Sequence, residues 1–112
     1  MNVRTQVLLW TAQRASAAVL AVCVIVHLVT VIYAVRNGLS AAEILGRTRG
    51  SVGWAAFYTL FVVAVAVHAP IGLRSVLSEH LNWRGTGMEL AVVALGLALA
   101  LWGFRAVYAV FV

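Results

Sequence analysis

The sequence predicts an all-α membrane protein built on three transmembrane helices, and three observations carry that prediction. Of its 112 residues, 64% are hydrophobic, and the mean hydropathy is +1.04, outside the range of an ordinary water-soluble domain. Formal charge is confined to arginines and glutamates, eight against three, with no lysine and no aspartate. The apolar residues gather in three runs, each close to the roughly 20 residues a helix needs to cross a hydrocarbon core.

The first run, residues 15–35, carries no formal charge. It does not read as a cleavable leader, because Arg14 lies beyond the apolar residues 7–10 and no small-residue cleavage site follows a short apolar region. The second run, residues 51–73, is also uncharged and holds Trp54, Tyr58, His68 and Pro70. The third begins at Leu90, meets Arg105 after Phe104, and continues to Val112. It spans if that arginine snorkels or finds a partner.

Two connections separate the runs. Residues 36–50, punctuated by Asn37-Gly38, Gly46 and Gly50, read as a polar loop with a short helical turn around residues 40–45. Residues 74–89 hold Arg74, Glu79, His80, Asn82, Trp83, Arg84 and Glu89. Orientation cannot be read from charge, since Arg4, Arg14, Arg74 and Arg84 fall on one side and Arg36, Arg47, Arg49 and Arg105 on the other.

Composition excludes several classes of function. The net charge of +5 is scattered rather than gathered in a stripe, so nucleic acid is not expected as a partner. One cysteine, Cys23, rules out an internal disulfide framework and a cysteine-ligated zinc or iron–sulfur site. Glu43, Glu79 and Glu89 lie in or beside loops and form no catalytic pair; phosphate-binding glycine loops and nucleophile triads are missing too. The chain is expected to have no substrate chemistry of its own.

Two histidines within the spans carry the chemistry. An ionisable side chain in a span is expected to face protein, water or a cofactor rather than lipid. His27 falls on a helical stripe with Ser16, Leu20, Cys23, Thr30 and Ala34, which predicts a buried seam. His68 stands between Ala64 and Gly72 one turn away on each side, a slot where a planar macrocycle could approach the backbone. Pro70 withholds a donor from Ala66 nearby. A neutral imidazole is a good axial ligand for haem iron and can satisfy its other ring nitrogen with a local hydrogen bond. The competing reading is that both rings are packing glue between helices. Counted from the helix ends, the two histidines lie about 10 Å apart along the membrane normal, which suits two haems better than one.

Two segments resemble a known family, the cytochrome b membrane-anchor subunits of succinate dehydrogenase and fumarate reductase. Gln13-Arg14-Ala15-Ser16-Ala17 is similar to the family's His-Arg-x-Ser-Gly, departing from it at Gln13 and Ala17. His68-Ala69-Pro70-Ile71-Gly72-Leu73-Arg74 fits its His-x-x-x-Gly-x-Arg. The resemblance extends over essentially the whole chain. It implies a single membrane-anchor domain over residues 1–112, with helix one at about 8–36, helix two at about 51–77 and helix three at about 88–111, forming part of a haem-binding helical bundle.

The resemblance further implies that the chain binds b-type haem, two in number and shared with a partner chain or a second copy, and contributes to a quinone site. His68 takes the position of the axial ligand, and His27 resembles the ligand of the haem farther from the cytoplasm in two-haem members. Arg14, Ser16 and Arg74 match positions near the haem propionates or the quinone. The expected partners are flavoprotein and iron–sulfur subunits, a second membrane anchor chain or second copy, membrane lipid and quinone. The expected place is a bacterial-type inner membrane, with the N-terminus and residues 74–89 in the cytoplasm. On this reading the chain is no enzyme by itself but a non-dehydrogenase subunit of an oxidoreductase.

The residues agree with that expectation. Reducing a quinone builds negative charge on its oxygens, so the site needs fixed donors and a cation at the membrane edge. Trp10, Gln13, Arg14 and Ser16 offer them in the first turns of helix one, and His80 and Trp83 could join them from the second loop. Trp10, Trp54, Trp83, Arg36 and Arg84 also suit a simple interfacial belt. Arg105 could meet outer-haem propionates or phospholipid headgroups. Two other classes stay open. A small multi-span transporter would want an intramembrane carboxylate, which none of the spans contains; a structural or assembly subunit would use its histidines only for packing.

Overall fold

A computed structural model describes residues 2–112, and among these every regular element is α-helical: α1 (Val3–Arg36), α2 (Ala41–Thr48), α3 (Val52–Glu79) and α4 (Thr86–Phe111). The all-α expectation holds, and α1, α3 and α4 are each long and apolar enough to cross a membrane. The chain measures 49 × 24 × 22 Å, longer than the ~30 Å of a hydrocarbon core. The bundle is therefore longer than the oil is thick.

Caps fix where the helices begin and end. α1 starts at Val3, five residues before the expected position, because the Asn2 side chain accepts from the Thr5 N–H at 2.8 Å. It stops at Asn37, whose backbone and side-chain N–H groups both donate to Tyr33 O, and Gly38 turns the chain at φ +61°. α2 is longer than the turn expected there. Ser40 and Glu43 form a capping box, Glu43 N–H to Ser40 Oγ at 3.2 Å and Ser40 N–H to Glu43 Oε1 at 3.4 Å. Ser51 caps α3 through Trp54 N–H, and Arg84 caps its far end by donating to Ser78 O.

α3 is the central helix, with α1 and α4 both packed on it and α2 laid against α4. The α3–α4 contact depends on two glycines. Gly96 receives the Pro70 ring, so close that an added Cβ would sit 3.0 Å from Pro70 Cγ and 3.5 Å from the Ala66 carbonyl that Pro70 cannot serve. Gly103 receives Val62 in the same way. Small residues at a helix crossing allow the close backbone approach on which packing in lipid depends, since there is little hydrophobic drive between helices there.

Few side chains are buried. They include Cys23, Ala64, Leu77, Met88 and Val92, while Leu97 and Trp102 are about two-thirds exposed. Such a surface is at home against acyl chains. The α1 seam is largely as expected: Ser16 and Cys23 are buried and Leu20, Thr30 and Ala34 half-buried, but His27 is exposed. At the end bearing α2, Thr48 Oγ1 donates to Val110 O and Gly50 N–H to Phe111 O, both at 2.8 Å. Two C-terminal carbonyls of α4 that the helix cannot satisfy are thereby closed.

Candidate functional site

Polar side chains inside the bundle meet at two levels. At the level nearer the N-terminus, α3 carries His68 half-buried against α1, where Ser16 Oγ lies 3.3 Å from His68 Nδ1. Ser16 is 7% exposed, and its hydroxyl also donates to Gln13 O at 3.1 Å, back along its own helix. His68 Nε2 makes no hydrogen bond among the described residues. Ser16 is thus occupied by the imidazole and the α1 backbone.

His68 borders a cavity of about 880 Å³ that opens toward the N-terminal end of the bundle, with Trp10, Gln13, Arg14, Arg74 and Glu89 around it. α1 supplies three of these side chains, Trp10, Gln13 and Arg14, from two successive turns. The Arg14 guanidinium lies 5.5 Å from the centre of the Trp10 ring, a cation–π distance. Gln13 packs its amide into the space that Gly72 leaves, with Nε2 3.3 Å from where a Cβ would stand. The clearing beside His68 thus receives α1 itself on that side. Gln13 Oε1 is buried with no hydrogen-bond partner among the described residues.

Across the cavity, Arg74 Nε and Nη2 both reach Glu89 Oε1 at 2.9 Å. Sequence reading placed Glu89 in or beside a loop; the structure adds a partner for it on the neighbouring helix. His80 and Trp83 do not join the group. His80 closes the C-terminus of α3, and Trp83 lies over Gly87, while Arg84, engaged with Ser78 O, does border the cavity.

The second level is centred on His27. Its Nδ1 lies 3.3 Å from Tyr58 Oη, and its ring meets Tyr58 and Phe61 edge-on at 5.8 Å each. Trp54 stacks on Tyr58, and Arg47 from α2 reaches over Tyr33 at 5.4 Å. His27, Tyr58, Trp54, Tyr33 and Arg47, with Thr30, border a second cavity of about 610 Å³. Sequence reading did not single out Tyr58 as a partner, although a phenol in a span needs one, and the nearest polar group on the facing helix is the histidine.

The Ser16–His68 and His27–Tyr58 pairs tie α1 to α3 at two heights, and the helical rise between them is about 15 Å. That exceeds the 10 Å expected. Counting from helix ends misses how far each helix runs past the membrane, whereas contacts across the interface read the register directly. No three His, Cys, Asp or Glu side chains converge among the described residues.

Long apolar helices flanking a central one, with imidazoles at two depths, define an all-helical, three-span membrane subunit. The succinate dehydrogenase/fumarate reductase transmembrane subunit family matches residues 1–105, and the chain belongs to that family. It is accordingly a membrane component of succinate and fumarate oxidoreductases rather than their dehydrogenase. Comparison with curated proteins and with solved structures gives no match.

Proposed function

We propose that the chain is the haem b-binding anchor of a succinate:quinone oxidoreductase, carrying electrons between an iron–sulfur subunit and membrane quinone. The observation that carries this reading is His68, held at Nδ1 by a buried serine, without a partner at Nε2 among the described residues, and bordering a cavity with Arg14 and Arg74. One ring nitrogen held and the other available is the donor arrangement an axial haem ligand requires. When bound, b-type haem supplies a one-electron centre inside the hydrocarbon layer.

Around it, this chain's residues have separable tasks. Arg14 and Arg74 place positive charge at the cavity mouth, suited to propionates and to the negative charge that develops on a quinone oxygen. Gln13 lines the cavity wall beside Arg14, and Trp10 flanks the opening. His27, on the other level, is the ligand for a second haem. Its exposed face requires that the remaining coordination come from a second anchor chain or a second copy. The cavity end of the bundle, with the N-terminus and residues 80–85, then faces the cytoplasm of a bacterial-type inner membrane and receives the iron–sulfur and flavoprotein subunits.

One observation favours a rival, the assembly subunit, because both imidazoles already hold a hydrogen bond between helices. A dithionite-reduced spectrum of the purified complex separates the two. The haem reading expects b-type absorption that falls on His68→Ala substitution. Equal absorption in that variant, or none in the parent, favours the packing role.

A further inference from the structure

We infer that Ser16 is the positioning residue of His68: with its own proton on the Gln13 carbonyl, it holds the imidazole as the Nδ1–H tautomer and leaves the Nε2 lone pair free. The inference rests on the reading of His68 as a haem ligand and goes beyond it by assigning the proton. A serine hydroxyl has one hydrogen to donate. Ser16 Oγ lies 3.1 Å from Gln13 O, which can only accept, so the hydroxyl proton belongs there. The oxygen then meets His68 Nδ1 at 3.3 Å as an acceptor, and the ring must donate.

The opposite assignment is costly. With the ring proton on Nε2, the hydroxyl would have to leave Gln13 O to donate to Nδ1, and an Nε2–H would face the cavity with no acceptor among the described residues. Ser16 is also poorly free to turn, being 7% exposed and tied to the preceding turn of α1. The second level lacks this device. Tyr58 Oη contacts His27 but has no further acceptor among the described residues to fix its proton, so it serves either tautomer.

An imidazole whose Nδ1–H is held by an acceptor donates more strongly through Nε2 and favours the oxidised form of a metal it binds. Removing the acceptor should therefore raise the midpoint potential of the haem. The test compares the parent, Ser16→Ala and Ser16→Thr in the assembled complex, by redox titration of the b-type absorption. The expected result is an upward shift for S16A and a return toward the parent value for S16T, which keeps a hydroxyl. An S16A complex that keeps its haem at the parent potential overturns the positioning role and leaves the ligand reading standing. A parent complex without b-type haem overturns the ligand reading itself. If S16A fails to assemble, Ser16→Cys replaces it, since the thiol fills the space but accepts weakly; an S16C potential equal to that of S16T overturns the inference.

Discussion

Val62 fills the space over Gly103: a Cβ added to that glycine would stand 2.6 Å from Val62 Cγ1 and 2.9 Å from Cγ2. Val62 is β-branched on a helix, with one strongly preferred rotamer, so it cannot swing aside. Gly103→Ala should therefore force α3 and α4 apart, at about 1–3 kcal/mol. Gly53, also helical, has nothing within 4 Å of an added Cβ. Gly53→Ala should be neutral or stabilise by up to about 1 kcal/mol through helix propensity. Thermal denaturation should show a lower melting temperature for the G103A complex and an equal or higher one for G53A, and a G103A complex as stable as the parent would refute the tight crossing.

Gln13 lends itself to separating stability from function. Its Oε1 is buried with no partner among the described residues, a condition that costs about 1–3 kcal/mol and is relieved when an apolar group of similar shape replaces the amide. Gln13→Met should leave the melting temperature of the complex unchanged or higher. The same change removes an amide from the wall of the proposed quinone cavity, so the KM for quinone should rise several-fold. A variant that melts lower while keeping its KM would place the partner of Oε1 in a neighbouring subunit.

The unequal legibility of this molecule in its sequence has a physical cause. The spans were readable because a stretch of about 20 uncharged apolar residues has few alternatives to a membrane helix. The seam with Ser16 and Cys23 was readable for the same reason, since small and polar residues are conspicuous on an apolar helix. Relations between helices were not. The Arg74–Glu89 pair, the meeting of His27 with Tyr58 and the placing of Pro70 against Gly96 depend on register and rotation, which one chain's periodicity does not encode. His80 and Trp83 were misplaced for a related reason. The second connection is closed by backbone, with Trp83 N–H donating to Leu77 O, Asn82 at φ 52° and Gly85 at φ 103°, and this turn carries both rings away from the cavity.

Arg74 and Glu89 join α3 to α4 at the cavity edge, yet the carboxylate is 48% exposed. A pair so open to solvent is worth at most about 1 kcal/mol. Its larger consequence is to hold the guanidinium in place. Glu89→Gln should leave thermal stability almost unchanged while altering the KM for quinone more than kcat, because Arg74 then samples several rotamers. Arg74→Ala should weaken quinone binding at least as much. If E89Q lowers stability substantially without touching KM, the pair is a structural clasp.

Thr48 links the first connection to the end of the last helix. Its hydroxyl reaches Val110 O at 2.8 Å, and the adjoining Gly50 N–H reaches Phe111 O at the same distance. Thr48→Val keeps the shape and the β-branch but removes the donor, at a cost of about 0.5–1.5 kcal/mol. α2 has only eight residues, too few to persist without tertiary support. The loss should therefore appear as local opening: faster amide hydrogen exchange across residues 41–50 and 108–112 in the purified complex, with rates around Ser16 and His68 unchanged. Faster exchange throughout α3 instead would mean that this clasp supports the whole bundle rather than one end of it.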